Sequence, residues 1–304
     1  MAVVTDTSEF RYLPGQAAAL DTTVPAATRV SVPLPDGRTL SALRFGTGAP
    51  EVTLLHGAGL NAHTWDTVVL LLGRPALVID LAGHGDSSWR DDADYSPATL
   101  AADVEIALAQ CTGAPQILVG HSLGGLTAAV VAAQRPESVR ELVLVDIVPG
   151  LDTDAAPAVL RDFYAGALDF ASRDEAVDRA QAFGFGATRE DTERGVFFNT
   201  RVRADGRVEW KHHFARIIGS AFDALQIANA APGGDPWSPL ASVTAPVTLV
   251  HGDHGFLQAT DVAEFRRRLP AASVIEVDAG HNVQETAPAS ISTLITAALT
   301  RSPR

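Results

Sequence analysis

The sequence predicts an α/β fold, with a mostly parallel central sheet, helices on both faces and a mainly helical cap inserted late in the chain. Three observations predict it. Short apolar runs alternate with helical patterns along most of the 304 residues, and runs apolar on both faces belong to parallel strands buried between helix layers. His56, Asp80, Ser122, Asp146, Asp253 and His281 all fall at or just beyond the carboxyl ends of those runs, where open α/β sheets hold their ligands. Between Asp146 and Pro246 the alternation stops, which marks an insertion.

Taken in order, residues 1–28 are Ala/Thr/Pro-rich and weakly periodic, and read as a loosely ordered arm or lid edge. Arg29 to Leu34 and Thr39 to Phe45 flank Pro35-Asp36-Gly37, a hairpin signal. Glu51 to Leu55 and Pro75 to Ile79 read as buried strands. Pro97 to Gln110 is helical, with Ser96 as N-cap and Pro97 in the first turn. Gln116 to Val119 is a strand, followed by a helix to about Gln134. Glu141 to Val145, Pro246 to Val250 and Ser273 to Val277 are the remaining strands, with helices over Asp261 to Arg268 and Pro288 to Leu299.

Within the insertion, Asp154 to Leu168, Ser172 to Phe183, Thr188 to Phe198 and Phe214 to Asn229 read as helices, and Val202 to Trp210 as a small hairpin around Asp205-Gly206. Ten aromatic residues gather there, from Phe163 to Phe222. Most are expected to form the cap's own core, and some to line an apolar substrate pocket. The expected organisation is therefore an arm (1–28), a core domain (29–149 and 240–304) and a cap (150–239).

Composition narrows the function classes. A formal net charge of -13 argues against nucleic acid or an anionic membrane as partner. One cysteine, Cys111, excludes an intrachain disulfide. With no secretory signal and no apolar run of membrane-spanning length, a cytoplasmic enzyme is expected. No metal-ligand spacing appears, so neither metal nor cofactor is expected; the pair His212-His213 reads as polar surface.

Gly120-His121-Ser122-Leu123-Gly124 fits G-x-S-x-G, and it lies between a predicted strand and a predicted helix, the setting that a nucleophile elbow requires. Such a turn strains the serine and exposes its Oγ, and the glycines allow strand and helix to pass closely. The following helix N-terminus presents free N–H groups to developing negative charge.

The chain closely resembles the α/β-hydrolase superfamily, in its cap-bearing branch of serine esterases, lactonases and haloperoxidase-like enzymes. The matching pieces are LLHGAG at 54–59, Trp65, DLAGHGDS at 80–87, VGHSLGG at 119–125, LVLVDIVP at 142–149, VTLVHGD at 247–253 and AGHNVQE at 279–285. The resemblance implies an α/β-hydrolase fold, with Ser122 as nucleophile and His281 as its base. It implies an oxyanion hole from the backbone N–H groups of Ala58 and Leu123, and a loop held by His56. His121 is expected to pack behind the elbow rather than to serve as base.

The triad acid is where the chain departs from the commonest pattern. Many relatives carry it three residues after the glycine here numbered Gly252, a position held by Gly255. Two carboxylates remain, Asp146 at the end of one strand and Asp253 at the end of the next, and Asp146 is preferred. Dehalogenases and epoxide hydrolases of this fold carry Asp in place of Ser122, which excludes both.

The expected activity is hydrolysis of a medium-sized, largely apolar ester or lactone through an acyl-enzyme. The same triad would also serve C–C cleavage in a diketone, or perhydrolysis. A receptor-like binding protein is the alternative from another class. Oligomeric state stays open.

Overall fold

The computed structural model describes residues 8–151, 162–163, 166–186, 188–217 and 235–301. Strands β1 (Ala27–Pro33), β2 (Thr39–Phe45), β3 (Val52–Leu55), β4 (Ala76–Asp80), β5 (Gln116–His121), β6 (Val139–Val145), β10 (Val247–His254) and β11 (Ser273–Gly280) form one eight-stranded sheet in the order β1-β2-β4-β3-β5-β6-β10-β11. β1–β2 and β2–β4 pair antiparallel, and every other pairing is parallel. The central strands β3, β4 and β5 are buried at every residue, which is why they read as continuous apolar runs rather than alternating ones.

Helices cover both faces. Helices α1 (Leu13–Ala19), α2 (Asp66–Leu72) and α10 (Pro288–Thr300) bury Leu13, Val69, Ile291 and Ile295 on one side, around a fully enclosed Trp65. On the other side, α3 (Pro97–Cys111), α4 (Leu123–Gln134) and α8 (Ala259–Arg268) bury Leu100, Val104, Leu126 and Phe265. Local chemistry starts these helices. Ser96 Oγ accepts the Thr99 N–H at 3.4 Å, and Gln258 and Asp261 form a reciprocal capping box.

Between β6 and β10 the insertion contributes α5 (Arg173–Ala182), α6 (Arg189–Asn199) and a second, three-stranded sheet. Its strands are β7 (Asp169–Phe170), β8 (Thr200–Val202) and β9 (Val208–Trp210), in the order β7-β9-β8. Ser172 and Thr188 cap the two helices through the N–H groups of Glu175 and Asp191. Phe163, Phe170, Val177, Val196 and Trp210 make a separate core. A short helix, α7 (Ser238–Ala241), leads back to β10, and α9 (Val283–Thr286) joins β11 to α10.

Four expectations need correction, and one helix is an addition to them. The arm is not loosely ordered throughout: α1 forms in it, because Leu13 and Ala17 stand one turn apart and bury together against the sheet domain. Helix α2 was not anticipated; a run of aliphatic residues carries no helical period, and its punctuation is Gly73, a left-handed C-cap with φ of 58°. The helix expected over Asp154 to Leu168 has ended by Gly166, because Asp169 and Phe170 pair with β9 instead. The pair His212-His213 is not polar surface. His212 is buried, and His213 stacks 4.5 Å from Trp89 and hydrogen-bonds Tyr95 Oη at 2.7 Å. The helix expected over Phe214 to Asn229 begins as one 3-10 turn, His213–Ala215. Residues 154–161 and 218–229 of these expected helices, with Tyr164 and Phe222, lie outside the described residues, as do residues 1–7 of the arm.

The arm and the insertion meet beside the loop that follows β3. His63 lies flat on Phe198 of α6, with ring centroids 3.8 Å apart. His63 Nδ1 is 2.9 Å from Asp66 Oδ2, and its Nε2 is 3.8 Å from Glu9 of the arm. Burial alone would lower its pKa, but Asp66 and Glu9 push it up from 6.5 to about 9. A raised histidine pKa stabilises the fold fully below pH 6.5, and the contribution is lost as pH rises through 9. We therefore expect denaturant titrations to show stability declining by on the order of 3 kcal/mol between those limits. The His63→Gln variant should lack that decline; an equal decline in the variant would assign it to other groups.

Candidate active site

The elbow is built as the residues dictate. Strand β5 ends at His121, α4 begins at Leu123, and Ser122 between them is held at φ 51°, ψ -121°. That is a sparsely populated region for a residue with a Cβ, of the kind found at functional turns. The turn exists because two glycines remove obstacles. A Cβ on Gly120 would lie 2.3 Å from the Gly124 carbonyl oxygen, and one on Gly124 would lie 2.6 Å from the carbonyl oxygens of Leu55 and His56. The Ser122 N–H donates to Val145 O at 3.1 Å, tying the turn to β6.

Two backbone N–H groups are left over beside Ser122. Leu123 opens α4, so its N–H has no intrahelical acceptor, and among the described residues no other group accepts it. The Ala58 N–H is likewise without an acceptor among the described residues. Its direction follows from its own peptide. The Gly57 carbonyl faces His56 Nδ1 at 2.8 Å and takes the Leu60 N–H at 3.2 Å; in a trans peptide the N–H of Ala58 then points the opposite way. The Leu81 N–H donates to His56 Nε2 at 3.0 Å, so the proton sits on Nδ1 and the ring is neutral. Burial, the largest influence, lowers its pKa and maintains that state. His56 thus holds the loop, as expected.

His281 follows β11. Its Nδ1 lies 2.7 Å from Asp146 Oδ2, and Asp146 is fully buried at the end of β6. The carboxylate is satisfied on three sides, because Gly252 N–H donates to Oδ1 at 3.1 Å and Phe256 N–H to Oδ2 at 2.8 Å. Hydrogen bonds of this kind fix the orientation of the carboxylate.

Asp253 does something different. The β10–β11 register slips between Gly252↔Val277 and His254↔Gly280, and Asp253 accepts the Ala279 N–H at 3.1 Å inside that irregularity. It caps a bulge rather than meeting the His281 ring. Gly255, where an acid was missing, has a function of its own: a Cβ there would lie 2.3 to 2.5 Å from the Asp146 carboxylate atoms. The space in which a side chain at 255 would sit is the space that the carboxylate from β6 occupies.

His121 packs behind the turn as expected. Its Nε2 lies 3.0 Å from the His281 carbonyl oxygen, and the two rings are 4.5 Å apart. Burial and the neighbouring His281 hold its pKa well below the ordinary value, so it is a neutral donor to the backbone of His281. Among the described residues no hydrogen bond joins Ser122 Oγ to His281; the two are brought near through His121, which precedes the serine and contacts the histidine. His84 is buried among aromatic rings, and His254 is exposed.

The sequence reading overlooked Phe256. Its ring lies parallel to His281, 3.7 Å centroid to centroid and 11° between planes. No motif marks it. The only available signal was the absence of an acid at Gly255 beside it.

With fold and geometry in place, the chain belongs to the α/β-hydrolase-fold family, whose model matches residues 50–288. It is 36% identical over 272 residues to the esterase Rv0045c of Mycobacterium tuberculosis, covering 85% of this chain and 87% of that one. It is 32% identical over 248 residues to an N-formylmaleamate deformylase of Pseudomonas putida, covering 79% and 85%. A solved structure of the M. tuberculosis esterase, described in a study of its inhibition by transition metals, superposes with a TM-score of 0.82 at 35% identity over 98% of this chain and all of that one.

The Gly255 geometry makes a direct prediction. In Gly255→Ala the new methyl must displace the Asp146 carboxylate from its two N–H donors. Turnover should fall by about 10- to 100-fold, the scale on which an ångström of misplacement acts. Steady-state kinetics on the folded variant checks this, and unchanged turnover would show that the carboxylate position does not matter.

Proposed function

We propose that this protein is a serine hydrolase that cleaves a carboxylic ester through an acyl-enzyme. The observation that carries the reading is the 2.7 Å contact between His281 Nδ1 and the buried Asp146, set beside a strained Ser122 at the start of α4. Asp146 holds the proton of His281 on Nδ1, which leaves Nε2 free as a base. As Ser122 Oγ attacks the ester carbonyl, its proton passes to Nε2. The negative charge that forms on the carbonyl oxygen is met by the Ala58 and Leu123 N–H groups. His281 then returns the proton to the departing alcohol. A water molecule then gives a proton to His281 and attacks the acyl carbon; as the bond to Ser122 Oγ breaks, His281 passes that proton to Oγ, the acid is released and both residues are restored.

The esterase relative supports the ester as the bond class. The net charge of -13 disfavours anionic macromolecules as substrates, and among the described residues no helix is long and apolar enough to cross a membrane. Phe198 of α6 stacks on His63 in the loop after β3, consistent with a cap over the site and with an apolar acyl or alcohol group. We favour a medium-sized, largely apolar small-molecule ester or lactone as substrate, without a metal or cofactor, in a cytoplasmic setting. The deformylase relative motivates a second reading in which the same residues cleave an amide-type acyl group. No observation favours diketone cleavage or a receptor role.

Hydrolysis of short p-nitrophenyl esters, with fluorophosphonate labelling in parallel, tests the reading. The wild type should turn over and label. Ser122→Ala should do neither, with kcat down by about 10⁶. Retained turnover in the variant would refute the assignment of the nucleophile, and labelling with turnover of N-acyl amides alone would favour the second reading.

A further inference from the structure

Asp146 and His281 do not come from neighbouring strands. β10 lies between β6 and β11, so the acid must reach its base across two strand spacings, about 10 Å. The exit of β10 stands in that path. It gives way through Gly255, which has no side chain where the carboxylate lies, and it supplies the Gly252 and Phe256 N–H donors.

One hydrogen bond at Nδ1 leaves the imidazole a freedom that matters. The ring can pivot about the Nδ1···Oδ2 axis and swing Nε2 away from Ser122 without breaking that bond. Phe256 removes the pivot. Its ring lies flat against His281 at 3.7 Å and 11°, so a rotation of the imidazole drives it into the phenyl face. The approach of His121, with the imidazole rings 4.5 Å apart and tilted by 53°, and its bond to the His281 carbonyl hold the backbone from which the base projects. The phenyl face also favours the positive charge that His281 carries while it holds the serine proton.

We propose that Phe256 is a positioning residue for His281: in the loop where the sequence lacks an acid, its backbone holds Asp146 and its ring sets the plane of the base. The inference rests on the reading of Ser122, His281 and Asp146 as a catalytic triad. Substitution at 256 leaves the donating N–H in place, so the ring is tested alone.

Four purified variants, Phe256→Ala, Phe256→Leu, Phe256→Tyr and Ser122→Ala, would be compared with the wild type on a short p-nitrophenyl ester and for the rate of fluorophosphonate labelling. Expected are a 10- to 100-fold loss of kcat and a parallel loss of labelling rate in the Ala and Leu variants, with KM within about threefold. The flat ring of the Tyr variant should recover kcat to within about threefold of the wild type. A rise in KM at constant kcat would make Phe256 a substrate contact and overturn the inference. So would unchanged kcat in both Ala and Leu variants, or a Tyr variant as slow as Ala. Ser122→Ala separates the two levels: if it is inactive while the 256 variants are unchanged, this inference alone fails; if it stays active, the triad reading fails and takes the inference with it.

Discussion

The site depends on a hydrogen bond that has to cross the end of an intervening strand. Asp146 ends β6, His281 follows β11, and β10 runs between them. A buried carboxylate is stable only where donors surround it, and the donors come from the strand being crossed. Gly252 and Phe256 give their N–H groups, and Gly255 gives up its side chain. The unusual backbone of Asp146, at φ 49°, belongs to the same arrangement: the chain must turn sharply as it leaves β6 to send the carboxylate sideways.

Ser122 is held by the same economy of backbone groups. Strand β5 and helix α4 pass so closely that only glycines fit, and the strain of the turn falls on Ser122. Neutral, buried histidines brace the surroundings. His56 turns the Gly57 peptide so that the next N–H is offered outward, and His121 anchors the backbone of His281. Because burial keeps both rings neutral, each serves as a donor of known tautomer and places no charge beside Ser122 or His281.

Much of this was legible in the sequence, for definite reasons. Strands buried on both faces must be apolar along their length, so β3 to β6 and β10 announced themselves. G-x-S-x-G between strand and helix identified Ser122, since chain connectivity alone places it at the elbow. Where the chain needs tertiary contacts to decide its structure, sequence reasoning fell short. Helix α1 rests on two small inward contacts, Leu13 and Ala17, and the aliphatic run of α2 has no helical period. His213 reads as polar surface until Trp89 and Tyr95, distant in sequence, cover it, and His212 is buried with its ring beside Trp210. Asp146 and Asp253 both end strands, so strand position could not separate them; what separates them is a β-bulge that occupies Asp253. Phe256 carries no motif, because its contribution is a face presented to a ring more than twenty residues away in the chain.

Comparing Asp146→Asn with Asp253→Asn in single-turnover and steady-state ester hydrolysis tests the central claim most directly. Both substitutions keep size and remove charge. If the acid works from β6, Asp146→Asn lowers kcat by about 10³- to 10⁴-fold, as expected when the base loses its correct tautomer, while Asp253→Asn stays within a few fold of the wild type. The reverse order, or equal effects, would contradict the account and return the acid to the end of β10.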